Sequence, residues 1–400
     1  MQTILAPRRT LEFGIYRDGD NNLDAIQESA VAQAIGVSRH DARVAFAVED
    51  TTSHGGDSLE TDRFDVADGR ITHARSGAAQ EMSDPHTLAA FVAHTLDEAE
   101  ARGTNQTWLD LVDHGGGDGG GLETSDGHVM PMPQIARAIA DGIALHARAH
   151  PQDAGRRIDG VVANQCLMAT MGFADALSRV GVRYLAASPE TMVAPGVPTS
   201  VADAIAKNES NPAAMAHAVV GDVMATKYDA GPLGAFTAAG AFDVLDLDRK
   251  KLARAEYAIK RLNDALTANA EDSTTRRAVR QDVASVDGMA RIPDGDALPW
   301  RADRPAIAVY ERIAGDTRLR AGTRKDANAA AEAVRDLVLA HRESAHFGPL
   351  GGADYRDAVG PTVHLPTSRK QIDPWAPAVR ETDNAFYRAV DAPSLTRAIA

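Results

Sequence analysis

The chain has 400 residues, of which 44% are hydrophobic, and this composition excludes an intrinsically disordered protein. Its formal net charge of −14, from 56 acidic and 42 basic side chains, argues against nucleic-acid binding as the main function. A single cysteine cannot form an intrachain disulfide. We find no uncharged apolar run of about 18 residues and no convincing secretory signal, so we expect a cytoplasmic protein without a membrane span.

Predicted strands alternate with predicted helices over the first 247 residues. Short apolar and β-branched runs predict strands at residues 11–16, 43–50, 108–113, 158–163 and 182–188, and a hairpin at 59–75 around Asp68-Gly69. Apolar residues at helical spacing predict helices from the turn at 18–24 to about residue 36, and at 85–102, 134–146, 167–180 and 212–227. This alternation predicts a mainly parallel sheet that helices cover on both faces.

The chain changes character towards its C-terminus. A strand-like run at residues 234–247 precedes a helix predicted at 249–270, and mixed acidic and basic residues follow. A further helix is predicted at 325–341 and a last strand at 360–366. We therefore expect a large α/β domain at 1–247 and a smaller, mostly helical C-terminal subdomain at 248–400 that completes the fold.

Two side chains with complementary chemistry follow neighbouring predicted strands. Cys166 comes after the strand at 158–163, and His114 comes after the strand at 108–113, at the start of a glycine-rich loop. If a right-handed crossover joins these strands, imidazole and thiol meet at the carboxyl edge of the sheet. We also expect Cys166 to begin the next helix, whose free N–H groups and dipole favour a thiolate. The pattern predicts a cysteine–histidine dyad, and the alternative is a buried cysteine with an unrelated histidine.

The residues around the dyad suggest how a substrate is held. The main-chain N–H groups of Gly115 and Cys166 are our predicted oxyanion hole, because glycine lets a substrate approach the backbone closely. Asn164, Glu190 and Asp113 are candidates for substrate binding, since all three lie near the same predicted edge. Asn164 and Glu190 are equally compatible with capping a turn or a strand end.

Two further patterns match other templates incompletely. Gly115, Gly117 and Gly120 fit the dinucleotide-binding spacing, but the following sequence is another turn with two prolines and not a helix. The acidic turn at residues 18–24 imitates a calcium loop, but Leu23 and Ser29 occupy the positions that require glycine and glutamate. We interpret it as a turn whose side chains cap the next helix, and we predict no metal site.

Four short blocks resemble the clostripain family of cysteine peptidases, in the caspase-like clan. They are DNNL at residues 20–23, DHG at 113–115, CLM at 166–168 and ASPE at 187–190, with a weaker likeness in GPTVHLP near the C-terminus. The resemblance implies a caspase-like three-layer sandwich in which His114 is the general base and acid and Cys166 is the nucleophile. It also implies cleavage after a chosen residue, often arginine or lysine, through an acidic pocket.

The chain departs from the family at the pocket. Family members commonly carry aspartate two positions before the cysteine, where this chain has Asn164. Either Glu190 preserves a preference for basic residues or the pocket accepts an uncharged one. Some relatives bind calcium or cleave themselves. We place no calcium site and no other cofactor here, and Arg156-Arg157 is our candidate for self-cleavage.

The function expected from the sequence is therefore a cysteine endopeptidase that acts on protein or peptide substrates. An intracellular endopeptidase endangers its own cell, so we expect restricted specificity and activation by a partner or by cleavage. The alternative is a catalytically silent caspase-like module that uses the same edge of the sheet to bind a peptide. Neither nucleic acid nor a membrane is an expected partner.

Overall fold

A nine-stranded sheet forms the centre of the protein. The structure is a computed structural model that describes residues 9–24, 29–53, 58–193, 195–229, 235–289, 302–344, 355–367 and 384–399. Nine of the strands in the described residues form this sheet, and the others form three two-stranded sheets. In chain order, all of these strands are β1 (Leu11–Asp18), β2 (Val44–Thr52), β3 (Glu60–Ala67), β4 (Arg70–Ala78), β5 (Gln106–Val112), β6 (Gly121–Glu123), β7 (Val129–Met130), β8 (Gly160–Asn164), β9 (Tyr184–Ala187), β10 (Lys227–Asp229), β11 (Ala235–Thr237), β12 (Ala241–Asp246), β13 (Asp303–Pro305), β14 (Val338–Glu343) and β15 (Thr362–His364).

The middle of this sheet is parallel and its edges are antiparallel. The strand order is β14-β12-β9-β8-β5-β1-β2-β3-β4. The neighbours from β9 to β2 pair in parallel, while β12 and β14 at one edge and β3 and β4 at the other pair antiparallel. Parallel neighbours require long crossovers, which the helices supply. The prediction of an α/β fold with a mainly parallel central sheet is confirmed.

Helices cover both faces of the sheet. They are α1 (Ala30–His40), α2 (Pro85–Arg102), α3 (Met132–Ala149), α4 (Met171–Arg179), α5 (Val201–Lys207), α6 (Pro212–Ala225), α7 (Arg249–Ala268), α8 (Ser273–Ala284), α9 (Ala306–Gly315), α10 (Ala321–Arg335), α11 (Ala385–Ala389) and α12 (Ala392–Ile399). Alternating strand residues point to opposite faces. In β5, Leu109 and Leu111 therefore join the core that contains α2, α3 and α4, whereas Trp108 and Val112 join the core that contains α1, α5 and α6.

Local sequence signals located most elements correctly. The helix predicted at 85–102 has those bounds, with Asp84 as its N-cap and Gly103 as a left-handed C-cap. The predicted hairpin also forms, with Asp68 (φ 52°) and Gly69 (φ 70°) both left-handed at its turn. Within the run at 234–247, Gly234 lies outside the described residues, and the remainder forms two strands, β11 and β12.

Three helix predictions had wrong bounds. The helix expected to end near residue 36 continues to His40. The helix predicted at 167–180 begins only at Met171, because residues 167–170 form a turn that is tied to the segment after β9. The helix predicted at 325–341 runs from Ala321 to Arg335. The apolar residues that follow form β14, because the open edge of β12 offers them hydrogen-bond partners.

The C-terminal part of the chain packs against the same core as the rest. It supplies β14 to the central sheet, and α7, α9 and α10 contribute to the larger hydrophobic cluster. The domain boundary at residue 247 stays a prediction. Among the described residues, no helix combines the length and the hydrophobicity needed to cross a bilayer.

Candidate active site

His114 and Cys166 lie at the carboxyl edge of two adjacent parallel strands. In the register of β5 and β8, Val112 is opposite Asn164, and the Asp113 N–H donates to the Asn164 carbonyl at 3.3 Å. His114 comes two residues after Val112, and Cys166 comes two residues after Asn164. Both line one cavity of about 550 Å³. The strand order therefore brings together the two residues that the sequence predicted as a dyad.

The glycine-rich loop brings its backbone against the cysteine. A Cβ on Gly115 would lie 2.3 Å from the Cys166 carbonyl oxygen and 3.0 Å from the Cys166 nitrogen, so only glycine fits there. Gly115 forms an antiparallel bridge with Gly121, whose hydrogen bonds come from the Gly116 and Leu122 N–H groups. The Gly115 N–H is not consumed by this bridge.

Cys166 is half-buried and bonded to the chain after β9. Its sulfur accepts a hydrogen bond from the Met192 N–H at 3.2 Å, and its thiol donates to the Met192 carbonyl at 3.7 Å. The next residue, Leu167, has a left-handed backbone (φ 68°) and donates its N–H to the Glu190 carbonyl at 3.0 Å. Helix α4 starts later, with Thr170 as its N-cap. Cys166 is therefore not at a helix N-terminus, and that prediction was wrong.

The surroundings of the sulfur favour the protonated thiol. Burial raises the pKa of Cys166 to about 11, the Met192 N–H opposes this rise, and the carboxylates of Glu190 and Asp113 add to it. A buried thiolate near negative charge is less favourable than a neutral thiol. Cys166 therefore lacks the helix N-terminus that was expected to stabilise a thiolate, and its raised pKa means that the resting cysteine needs a base to take its proton.

We expect iodoacetamide to alkylate resting Cys166 slowly at neutral pH. The folded-state pKa lies above the ordinary value of about 8.5, so at pH 7.5 the thiolate fraction and the rate should be at least about tenfold below those of a free thiol. The rate should keep rising above pH 9. Because the chain has one cysteine, the urea-unfolded protein is a matched control at the same residue. A rate that levels off near pH 7 would show a preformed thiolate instead.

Asn22 orients the imidazole of His114. Its side-chain oxygen lies 2.7 Å from His114 Nε2, so this nitrogen carries the proton and Nδ1 is left to accept one. Within the described part of the chain, no hydrogen bond joins His114 to Cys166 directly. The sequence singled out the turn that contains Asn22 but gave no sign of this role, because the contact spans 92 residues.

The buried side chain of Asp113 holds together two segments that line the site, the loop after β1 and strand β6. Asn21 donates to one oxygen of the Asp113 carboxylate at 2.7 Å, and the Glu123 N–H donates to the other oxygen. The same Asn21 amide also donates to the Glu123 carbonyl at 2.7 Å. Burial and the nearby Asp18 carboxylate raise the pKa of Asp113 well above its usual range. Asp113 thus joins the loop after β1 to β6 and is not exposed to a substrate.

Asn164 and Glu190 are also buried, and neither side chain opens into the cavity of the dyad. The Asn164 side chain accepts from the Val197 N–H at 2.7 Å and donates to the Val197 carbonyl at 3.2 Å. Glu190 accepts from the Thr191 N–H at 2.7 Å. The space beside Asn164 measures about 20 Å³, enough for about one water molecule and not for an arginine or lysine side chain.

The C-terminal part of the chain holds the glycine-rich loop in place. Asp118, buried in that loop, accepts hydrogen bonds from Thr170 and from the Tyr387 hydroxyl, the latter at 2.6 Å. Tyr387 also accepts from the His364 N–H at 2.8 Å. The loop forms a 3₁₀ turn (Gly117–Gly119) and then β6, so it does not open a helix as a dinucleotide site requires.

The acidic turn after β1 is organised by its own side chains. Asp18 accepts from the Asp20 N–H, and Asn21 accepts from the Leu23 N–H, both at 2.9 Å, as in an Asx turn. Asp24 pairs with Arg17 at 3.2 Å. The N-cap of α1 is Ser29, which accepts from the Ala32 N–H, so the prediction that this turn caps the helix was wrong.

Solved structures with the same architecture are cysteine proteases. A secreted C11 cysteine protease from Bacteroides thetaiotaomicron, called iotapain, matches with a TM-score of 0.65 at 14% identity, over 96% of this chain and 99% of that chain. A secreted C11 protease from the same organism, in complex with an irreversible peptide inhibitor, matches with a TM-score of 0.67 at 14% identity over the same shares. An inactive zymogen C11 protease from Parabacteroides distasonis matches with a TM-score of 0.59 at 16% identity, over 96% and 98%.

The chain has the fold of the C11 cysteine proteases. This agrees with the clostripain-like, caspase-like sandwich that the sequence predicted. No protein-family model and no curated protein sequence matches the chain. At this level of identity the likeness concerns the C11 fold, and the chemistry of this chain rests on its own residues. Secretion is a property of the two Bacteroides proteins, and the cytoplasmic location of this chain stays a prediction.

Proposed function

We propose that this protein is a cysteine endopeptidase with Cys166 as nucleophile and His114 as general base and acid. One observation carries the proposal: an imidazole and the chain's only thiol lie just beyond the carboxyl ends of adjacent parallel strands and line one cavity with several glycines. This is the constellation that acyl transfer requires, namely a nucleophile, a base oriented by a third group, and main-chain donors.

The proposed reaction begins when His114 Nδ1 takes the thiol proton and Cys166 attacks the peptide carbonyl. The Gly115 and Cys166 N–H groups stabilise the resulting oxyanion. The imidazolium then protonates the departing amine, and water hydrolyses the thioester with His114 again acting as base. The hydrogen bond from Nε2 to Asn22 keeps the imidazole in the tautomer that this sequence needs.

We propose that the activity is restrained in the resting protein. The thiol is protonated and bonded to Met192, while the imidazole is bonded to Asn22. Proton transfer requires that the thiol leave the Met192 backbone and approach His114. Substrate binding, cleavage of the chain at a site such as Arg156-Arg157, or a partner that moves the segment after β9 would favour this exchange.

Restricted specificity is part of the same proposal. A second cavity of about 480 Å³ also has His114 in its wall, and Asp20, Asp24 and Glu123 line it. Glu123 lines both cavities. The negative charge around His114 favours a basic substrate residue near the scissile bond. This acidic cavity would receive that residue, because the space beside Asn164 is too small for it.

A peptide-library cleavage profile of the purified chain tests this function. We expect cleavage at a narrow set of sites, with lysine or arginine enriched at one position beside the scissile bond. A peptidyl acyloxymethyl ketone built on the preferred sequence should label Cys166 once per chain, in spite of slow labelling by iodoacetamide, because binding places its carbonyl at the thiol.

The rival function is a silent peptide-binding module with the same fold. It predicts no cleavage and equally slow reaction of Cys166 with both reagents, although peptides would still bind. Broad cleavage of many unrelated proteins by the freshly purified chain would contradict the restrained activity, while leaving the peptidase assignment intact.

A further inference from the structure

A second cluster of histidines and carboxylates lies at the opposite edge of the sheet from the dyad. His146 and His150 stand one turn apart near the end of α3, facing Asp97 and Glu100 near the end of α2, and Asp153 follows in a 3₁₀ turn. Helix α2 ends at Arg102, shortly before β5 begins at Gln106, and α3 ends at Ala149, from where a 3₁₀ turn and a short loop lead to β8 at Gly160. The cluster is therefore at the amino edge of these strands, whereas the dyad is at their carboxyl edge.

We propose that Asp97, His146 and His150 bind a divalent transition-metal ion of the zinc type. The inference goes beyond the peptidase function and does not depend on it. Such an ion would join the ends of α2 and α3, the two crossover helices that lead to the strands of the dyad. Imidazole and carboxylate ligands at helical i, i+4 spacing suit zinc.

The ligand atoms already converge. Asp97 Oδ1 lies 2.6 Å from His146 Nδ1 and 3.3 Å from His150 Nε2, and the three atoms are within 4.8 Å of one another. Two ligands of a tetrahedral zinc ion, each about 2.0–2.1 Å from the metal, are about 3.3 Å apart. The site thus requires only a small separation of Asp97 from His146.

The outer nitrogen of each imidazole faces a further carboxylate. His150 Nδ1 lies 2.6 Å from Glu100 Oε2, and His146 Nε2 lies 3.6 Å from Asp153 Oδ2. Metal-binding histidines characteristically donate their second ring N–H to such a carboxylate, which fixes the tautomer. Glu100 is itself held by Gln152, whose amide donates to its other oxygen at 3.0 Å.

His146 distinguishes a metal site from a set of ion pairs. The residue is 1% exposed, and its Nδ1 is bonded to Asp97, whereas its Nε2 faces the Asp153 carboxylate at 3.6 Å, beyond hydrogen-bond distance. A buried nitrogen without a partner is unfavourable. With a metal ion on Nδ1, the ring proton resides on Nε2 and is directed at Asp153, so both nitrogens are satisfied.

The charges of the cluster also match a divalent cation. Asp97, Glu100 and Asp153 contribute three negative charges, and Arg156 bonds to Asp153 and offsets one of them. The remaining two negative charges equal the charge of the proposed ion. A neighbouring group, Asp65 with His94 and Glu98, has one imidazole, and Arg102 pairs with its Glu98 at 2.7 Å. That group is the natural comparison for the experiment.

Zinc binding is measured in the full chain carrying Cys166→Ser, which removes the thiol as a competing ligand. After treatment with EDTA and dialysis, we expect titration with zinc chloride to give one ion per chain and a Tm higher by a few degrees. His150→Gln and Asp97→Asn should each weaken zinc binding by more than about a hundredfold. Glu100→Gln, which removes a partner that only orients His150, should weaken it by about ten- to a hundredfold.

His94→Gln is the matched control and should leave the stoichiometry and the affinity unchanged. Calcium and magnesium should not compete, because imidazole is a poor ligand for hard cations. Asp97 and His150 are partly exposed, so the Tm of their metal-free variants will show whether the fold is retained. The proposal is overturned if zinc fails to bind, or if it binds these variants as tightly as the parent.

Discussion

Replacing Cys166 with serine is expected to lower kcat/KM for a cleaved peptide by about 10⁴- to 10⁶-fold. Cys166 carries the only thiol in the chain. A serine hydroxyl in the same environment ionises far less readily than this thiol, even though burial raises the pKa of the thiol to about 11. The rate that remains reflects substrate binding and the main-chain N–H donors, which the substitution leaves in place.

We expect the Cys166→Ser variant to keep the native structure, so that a loss of activity can be assigned to the missing thiol. A serine hydroxyl can donate to the Met192 carbonyl and accept from its N–H, as the thiol does, so the Tm should change little. Peptide affinity should also persist, as measured with a non-cleavable analogue. Retention of most of the activity in a correctly folded Cys166→Ser protein would exclude Cys166 as the nucleophile.

Replacing His114 with alanine is expected to reduce kcat by about 10²- to 10⁴-fold, the usual contribution of a general acid–base group. The pH profile gives a sharper test than the rate alone. Without the imidazole, the sulfur must ionise by itself, and its raised folded-state pKa means that thiolate appears only in strongly alkaline solution. The residual activity of His114→Ala should therefore continue to increase above pH 9.

Two further variants distinguish the loss of a general base at His114 from a nonspecific effect of substitution on the structure. His86→Ala removes an exposed histidine of α2 and should leave kcat unchanged. Asn22→Ala removes one neutral hydrogen bond, worth about 1 kcal/mol, and should lower kcat about five- to tenfold with little change in KM. A His114→Ala enzyme with normal kcat and an unchanged pH profile would end the proposal that this imidazole is the base.

The strand edges that carry the dyad were predictable because their signals are local. A short apolar run followed by a glycine-rich loop marks where β5 ends, and the run before Cys166 marks β8 in the same way. Right-handed crossover then makes the two strands neighbours without any knowledge of packing. The dyad candidates and the proposed oxyanion donors follow from these rules and from the chemistry of thiol and imidazole.

The supporting residues could not be predicted because their partners are distant in sequence. Asn164 and Glu190 were candidates for the pocket, but each is buried against the backbone of the segment after β9. Asp113 was a third candidate and instead clamps the loop after β1 to β6. A carboxylate next to a catalytic histidine looks the same in a sequence whether it faces a substrate or the protein interior.

By itself, the sequence determined the alternation of strands and helices before residue 247, the edge of the sheet at which the candidate site lies, and the identities of the thiol and the imidazole. These depend on periodicity and on residue chemistry, which act over a few neighbouring positions. Only the tertiary structure decided that Cys166 bonds to the Met192 backbone, that Asn22 bonds to His114, and that the run after α10 extends the sheet as β14. Solvation, charge and strand pairing at a residue depend on segments that arrive there only when the chain folds.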